Sequence, residues 1–139
     1  MSFREKSAWA MAALMILAGL YYLNLVVGAS RELGAPAPPV GIFIAYVVLV
    51  VIGSVAAQVA LAVSAPEEAN APADERERPA LQRAGNWSGT VLGVGAAASL
   101  LHYLQHGNGD LLFHSVLASL IVSQIAEHVF QIVLLRRSA

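Results

Sequence analysis

The sequence contains no cysteine, which excludes disulfide bonds, thiolate metal sites and cysteine nucleophiles. Charged residues are also scarce, at 12% of the 139 positions, or about half the share usual in soluble proteins. The formal net charge is −1, so no basic surface is available to replace phosphate counterions and no nucleic-acid partner is expected. Hydrophobic residues make up 58%, with a mean hydropathy of +0.66. This composition predicts an integral membrane protein.

Four long apolar segments account for most of the chain, at about residues 8–28, 40–64, 84–106 and 111–134. Each is long enough to cross a bilayer as a helix. The first has a secretory signal peptide as its alternative interpretation, but it is too long for a signal core and three further segments follow it. We therefore predict one all-α domain over residues 1–139, a four-helix transmembrane bundle in contact with lipid.

The distribution of basic residues predicts the orientation. With four spans, only Arg31 lies on one side of the membrane, and seven of the eight Lys and Arg residues lie on the other. Because positive charge is retained in the cytoplasm, both termini and the 65–83 loop are predicted to be cytoplasmic. The seven are Arg4, Lys6, Arg76, Arg78, Arg83, Arg136 and Arg137.

Small residues repeat every four positions in the third and fourth segments. Such repeats let membrane helices approach closely, so we expect the two rows to meet. The short turn at 107–110 makes these segments an antiparallel hairpin, with Asp110 as the predicted N-cap of the last helix. Gly53 and Ala57 form a shorter notch on the second segment. The rows are Gly85, Gly89, Gly93 and Ala97, and Ser115, Ser119 and Ser123.

A polar face interrupts the last span. Glu127 is the only acidic residue inside the four apolar segments, and Ser123, Gln124, His128 and Gln131 surround it at helical spacing. At about 100° per residue the five fill an arc of roughly 140°. Lipid cannot satisfy these groups, so protein or trapped water is expected to do so.

Glu127 has two interpretations. In the structural one, its carboxyl group hydrogen-bonds to Ser88 or Thr90 of the third span, or pairs with an arginine of the cytoplasmic loop. In the other, several copies of Glu127 in an oligomer carry protons or ions across the membrane. Tyr22, near the outer end of the first span, is interpreted as a membrane-interface residue.

Histidines gather near the outer turn. His102 and His106 are four residues apart, a spacing that can chelate a metal, and Asp110 lies between them and His114. An antiparallel hairpin sets His102 and His114 at similar depth, where they could hold a divalent metal or a haem. No HExxH signature accompanies them, and histidines at a membrane boundary are often only polar edge residues. No cofactor is therefore expected, and the metal or haem site remains the third alternative.

The 65–83 loop carries a charged motif, DERER, formed by Asp74, Glu75, Arg76, Glu77 and Arg78. A solvated loop is the simpler interpretation, and docking of a cytoplasmic partner is the functional one. Prolines at 66, 72 and 79 interrupt any long helix here.

Three patches of the chain resemble a group of small four-span bacterial inner-membrane proteins. They are MSFREKSAWAMAALMILAGLYY at the start, DERER in the loop and IAEHVFQIVLLRR near the end. The resemblance implies a multi-pass protein of the plasma membrane, with Glu127 as the acidic residue of the last span and Asp74, Glu75 and Arg76 as the loop motif. The histidines at 102, 106 and 114 are not part of that pattern.

The expected function is structural or interaction-mediating and non-enzymatic, because the sequence contains no nucleophile–base pair or catalytic signature. We expect the chain to associate with itself as a homo-oligomer. A transporter or channel subunit that uses Glu127 is the alternative.

Overall fold

A computed structural model describes residues 2–138 as five helices, with no strand among them. The all-helical prediction is confirmed. The helices are α1 (Phe3–Leu33), α2 (Pro39–Ser64), α3 (Pro66–Asn70), α4 (Glu77–His106) and α5 (Gly109–Ser138).

Three helices of residues 2–138 are long and apolar enough to cross a membrane. They are α1, α2 and the Gly109–Arg137 part of α5. Helix α4 has 30 residues, but its first third is polar, with the sequence ERPALQRAGN. The structure therefore agrees with a membrane protein, and three of the four predicted spans have the required length and composition.

Local chemistry sets the ends of the helices. The Ser2 hydroxyl accepts a hydrogen bond from the Glu5 amide and caps α1, which ends at Leu33 and is followed by Gly34 with a φ of 63°. Helix α4 ends at His106 and is followed by Gly107, whose φ of 65° is a conformation that glycine adopts without steric cost. Asn108 follows, and its side-chain oxygen accepts from the Leu111 amide at 2.9 Å.

Asp110 is not the N-cap of α5. The helix begins one residue earlier, at Gly109, so Asp110 already lies in its first turn, and the capping side chain is that of Asn108. The turn between α4 and α5 is accordingly shorter than predicted, with only Gly107 and Asn108 outside the helices. The predicted antiparallel hairpin is formed.

The helix that contains the third apolar segment begins earlier than predicted, because Glu77 and Arg78 of the charged motif already lie in its first turn. The carbonyl of Asp74 accepts from the amides of Glu77 and Arg78, and the Glu77 carboxylate accepts from the Asp74 amide at 3.3 Å. These bonds form a turn just before the helix, in which backbone donors at its start are satisfied locally. Helix α4 therefore starts at Glu77, well before residue 84.

The long helices are arranged in a row in the order α2, α1, α5, α4. Helix α5 packs extensively against α4 and also against α1, and α1 packs against α2. Helix α2 reaches α5 at a small contact where the Phe43 and Phe113 rings meet edge to face, 5.4 Å apart. Within residues 2–138, no extensive packing joins α2 to α4. The two outer helices are thus widely exposed to their surroundings.

The row has two ends. We call the end with the start of α1, the 65–76 loop and the last turn of α5 the terminal end. Contacts join these segments directly, since Glu5 pairs with Arg136 and Arg4 donates to the Ala71 carbonyl of the loop. The opposite end, with the α1–α2 connection at 34–38 and the turn at Gly107, is the connector end.

The predicted glycine row is not the contact between α4 and α5. A Cβ atom added at Gly85, Gly89 or Gly93 would meet nothing within 4 Å, and Ala97 is exposed. The close approach is at Gly95, where an added Cβ would lie 2.5 Å from the Ser119 hydroxyl oxygen.

Ser119 and Ser123 of the predicted serine row do face α4, and Ser119 is the point of closest approach. The contact face of α4 contains Ser88, Gly95 and Ser99, spaced by seven and four. This spacing keeps residues on one side of a helix that crosses its neighbour at a small angle. A strict four-residue repeat instead turns away by about 40° at each step, which carries the glycine row out of the interface.

Candidate functional site

A buried polar cluster lies at the connector end, centred on His114. This residue is only 6% exposed. Its Nδ1 atom lies 2.5 Å from the Tyr22 hydroxyl oxygen, and its Nε2 atom lies 2.8 Å from the Ala37 carbonyl oxygen. The histidine therefore joins α5 to α1 and to the α1–α2 connection.

The partners of His114 determine its tautomer. A carbonyl oxygen can only accept, so Nε2 carries the hydrogen that is donated to Ala37. In a neutral imidazole Nδ1 is then the acceptor, and the Tyr22 hydroxyl donates to it. Both ring nitrogens are thus occupied, and neither has a free lone pair for a metal.

The surroundings of His114 are also satisfied. Ala37 has no exposed surface, and its amide donates to the Ser30 hydroxyl at 3.1 Å. The ring of Tyr46 meets that of Tyr22 edge to face at 5.5 Å. No buried side-chain nitrogen or oxygen in residues 2–138 lacks a hydrogen-bond partner. All buried polar groups of this cluster are therefore hydrogen-bonded within the protein. We call the cluster the clasp, because it joins α5 to α1 and α2.

The interpretation of Tyr22 as an interface residue is wrong, because the side chain is 4% exposed and packs inside the protein. The spacing of residues in the sequence indicates that Tyr22 is buried. Ala8, Ala12, Met15 and Ala18 precede Tyr22 at steps of three and four, which places all five on one face of α1. That face is the one buried against the rest of the row.

The structure does not bring the four candidate metal ligands together. The rings of His102 and His106 stack 4.1 Å apart on the exposed surface of α4. His114 is turned toward α1, and Asp110 is exposed. In the described part of the chain, no group of three or more His, Cys, Asp or Glu side chains has the geometry of a metal site.

The predicted polar face of α5 divides into two parts. Ser123 faces α4, where its hydroxyl donates to the Ser88 carbonyl at 2.9 Å. Gln124, Glu127 and Gln131 form a separate stripe within an arc of roughly 60°. The Gln131 amide donates to the Glu127 carboxylate at 3.2 Å, and His128 Nδ1 lies 3.4 Å from the Gln131 carbonyl oxygen.

The stripe makes no hydrogen bond to another helix within residues 2–138. The predicted partners of Glu127 are engaged elsewhere, since Ser88 contacts Ser123 and the Thr90 hydroxyl donates to Asn86. The loop arginine Arg78 donates to the Ala73 carbonyl. Glu127 is half-buried, and its hydrogen-bond partner is a residue one turn further along its own helix.

Gln124 is exposed, and its side chain forms no hydrogen bond with any described residue. It lies on the side of α5 that also carries Phe113, the residue in contact with α2. The polar stripe therefore faces the open space beside α5, between its contacts with α4 and α1.

Ion pairs gather at the terminal end. Arg4 lies 3.2 Å from the Glu77 carboxylate and also donates to the Ala71 carbonyl at 3.2 Å. Lys6 lies 3.8 Å from Glu68. These contacts attach the 65–76 loop to the start of α1, beside a shallow pocket of about 270 Å³. Asp74, Glu75 and Arg76 remain exposed.

Comparison with known proteins adds no functional assignment. No protein-family model, curated protein or solved structure matches this chain. Inferences about function therefore depend on the two polar groups described above. The polar groups around His114 all have partners within the protein, whereas the stripe at Gln124 and Glu127 bonds to no other helix of the described residues.

Proposed function

We propose that this chain is a small, non-enzymatic, multi-pass membrane protein that associates with itself through the polar stripe of α5. One observation carries the proposal: Gln124, Glu127 and Gln131 lie within an apolar helix and bond to no other helix of residues 2–138. The resemblance to four-span proteins of the bacterial plasma membrane supports a location in that membrane.

The depth of the stripe favours a protein partner. Gln124 lies 12 positions before Arg136, which is about 18 Å along the helix. A carboxamide left unpaired in hydrocarbon is costly, because lipid tails offer no hydrogen bonds. A glutamine side chain both donates and accepts, so two copies of Gln124 can satisfy each other across a two-fold axis.

The four-span topology is part of the same proposal. The ion pairs of Arg4 with Glu77 and of Glu5 with Arg136 hold the loop and both chain termini at one end of the row. That arrangement requires α4 to run the full length of α5, and it supports a fourth crossing by α4. Seven of the eight Lys and Arg residues then lie on one side, which supports a cytoplasmic terminal end.

Replacing Gln124 with leucine should weaken self-association by about threefold to thirtyfold. Hydrogen bonds between membrane helices contribute about 0.6–2 kcal/mol, and Gln124→Leu removes both the donor and the acceptor. The chain has no cysteine, so a single Glu32→Cys label at the connector end permits energy-transfer measurements in liposomes. The dimer affinity follows from a series of protein-to-lipid ratios.

The matched control is Val122→Leu. Val122 is also exposed, but it lies on the opposite side of α5 from Gln124. The Val122→Leu variant should leave the dimer affinity unchanged. A wild-type chain that stays monomeric at every protein-to-lipid ratio would exclude self-association, and equal affinities for Gln124→Leu and wild type would exclude this stripe as the contact.

Proton movement is the second candidate function, and the hydrogen-bonded run of Glu127, Gln131 and His128 favours it. An intramembrane carboxyl group can bind and release protons, and an imidazole can do the same, while the Gln131 amide between Glu127 and His128 holds the two groups in place without passing protons itself. Two copies in contact would bring two such runs together near the centre of the assembly.

Replacing Glu127 with glutamine separates the two candidates. If Glu127 is a relay, Glu127→Gln should reduce proton flux into liposomes to the level of protein-free vesicles, because the amide cannot release a proton at neutral pH. If the stripe serves only association, wild-type and variant vesicles should both show background flux. The measurement is the fluorescence of a pH-sensitive dye trapped in the vesicles, with His102→Ala as the control outside the stripe.

A further inference from the structure

A groove between α1 and α5 opens sideways near the terminal end, on the side of α5 opposite the polar stripe. Its volume is about 400 Å³, within the range of roughly 300–1,000 Å³ that is typical of ligand sites. Its floor is formed by the buried residues Ala12 and Ile132, the small exposed Ala13 leaves it open, and the side walls are Ile16, Val129 and Val133, each about two-fifths exposed. The walls are apolar, so hydrocarbon is the chemistry that fits them.

The mouth of the groove is cationic. The Arg136 guanidinium lies 5.6 Å from the centre of the Trp9 ring, and both residues line the groove. Arg136 holds the Glu5 carboxylate through its Nε atom at 2.7 Å, which leaves the N–H groups of its terminal nitrogens directed elsewhere. The Arg136 side chain is still 58% exposed. Arg137, the next residue, is exposed but does not line the groove, and it adds a second cation at this end of α5.

The position of Trp9 relates the groove to the membrane. Its ring is 46% exposed at the terminal end of α1, and tryptophan favours the level of lipid headgroups. Below that level the groove continues toward Ile16, about two turns further along α1. A cation and an indole at headgroup depth match the headgroup of a lipid molecule, and the apolar groove below them matches its acyl chain.

We propose that this groove binds an anionic phospholipid of the surrounding bilayer. The acyl chain lies along Ile16, Val129 and Val133, and the phosphate accepts hydrogen bonds from Arg136. Cationic grooves between membrane helices near the cytoplasmic surface favour anionic headgroups over zwitterionic ones. Binding requires only that α1 and α5 cross a bilayer, and it is independent of the stripe at Gln124.

Native mass spectrometry of the purified full-length protein tests this. The protein is titrated in detergent with phosphatidylglycerol or with phosphatidylethanolamine of the same chain length. Wild type should bind phosphatidylglycerol at least fivefold more tightly, because each cation near a headgroup changes affinity by about fivefold. Arg136→Gln should remove that preference. Arg83→Gln, which deletes a cation of α4 away from the groove, should retain it.

A second variant tests the apolar part without changing the charge. Ala13→Phe fills the groove at an exposed position of α1, and it should weaken binding of both lipids by fivefold or more. Equal binding of the two lipids by wild type would overturn the proposal. So would unchanged binding by Arg136→Gln, an equal loss in Arg83→Gln, or unchanged binding by Ala13→Phe.

Discussion

Replacing His114 with alanine is expected to lower the free energy of unfolding by about 2–4 kcal/mol. The substitution leaves the buried Ala37 carbonyl and Tyr22 hydroxyl without their partner, and it opens a cavity between three helices. Each unsatisfied buried group costs about 1–3 kcal/mol, so the two groups that lose their partner account for most of the expected loss.

Chemical unfolding in detergent micelles, followed by circular dichroism, measures this loss. Tyr22→Phe removes one hydroxyl and keeps the ring, so it should cost only about 1–2 kcal/mol. His102→Ala is the matched control, because His102 is exposed and should change stability by less than about 0.5 kcal/mol. Similar losses of stability for His114→Ala and His102→Ala would contradict the claim that His114 holds the helices together.

Replacing Gly95 with alanine should lower stability by about 1–3 kcal/mol. The new methyl group would lie 2.5 Å from the Ser119 hydroxyl oxygen and 2.7 Å from its Cβ atom, so α4 and α5 must separate. Gly93→Ala is the control on the same helix, since its methyl group would meet nothing within 4 Å. That control should be neutral or stabilising by up to about 1 kcal/mol, because alanine is the better helix former.

A compensating substitution makes the Gly95 test specific. Ser119→Gly removes both atoms that the new methyl group would strike, and the nearest remaining atom is the Ser119 Cα at 3.5 Å. The Gly95→Ala and Ser119→Gly double variant should therefore recover most of the stability lost by Gly95→Ala alone. Additive losses in the double variant would mean that the two positions do not touch.

The sequence predicts the helices well because apolar length alone determines them. The runs at 40–64 and 111–134 correspond closely to α2 and α5. The error at α4 has a local cause: reciprocal hydrogen bonds between Asp74 and Glu77 start the helix inside a segment that looks like a charged loop. Hydropathy contains no information about such caps.

The contacts between helices are harder to predict than the helices. Tyr22 and His114 are 92 residues apart, and nothing in the spacing of either indicates the other. The serines at 119 and 123 were assigned to the correct side of α5, but their partners on α4 are Gly95 and Ser88. A four-residue glycine repeat is easily seen in a sequence, whereas the angle at which two helices cross cannot be predicted from the sequence of either helix alone.

The turn of Gly107 and Asn108 has a consequence for how the protein reaches its final state. With so little chain between them, α4 and α5 cannot be handled as separate segments during biosynthesis. In the proposed four-span topology, α5 carries the more polar α4 into the bilayer with it, and the hydrogen bond from Ser123 to Ser88 and the contact at Gly95 lie between the two helices, away from lipid. The hairpin is then the unit of insertion.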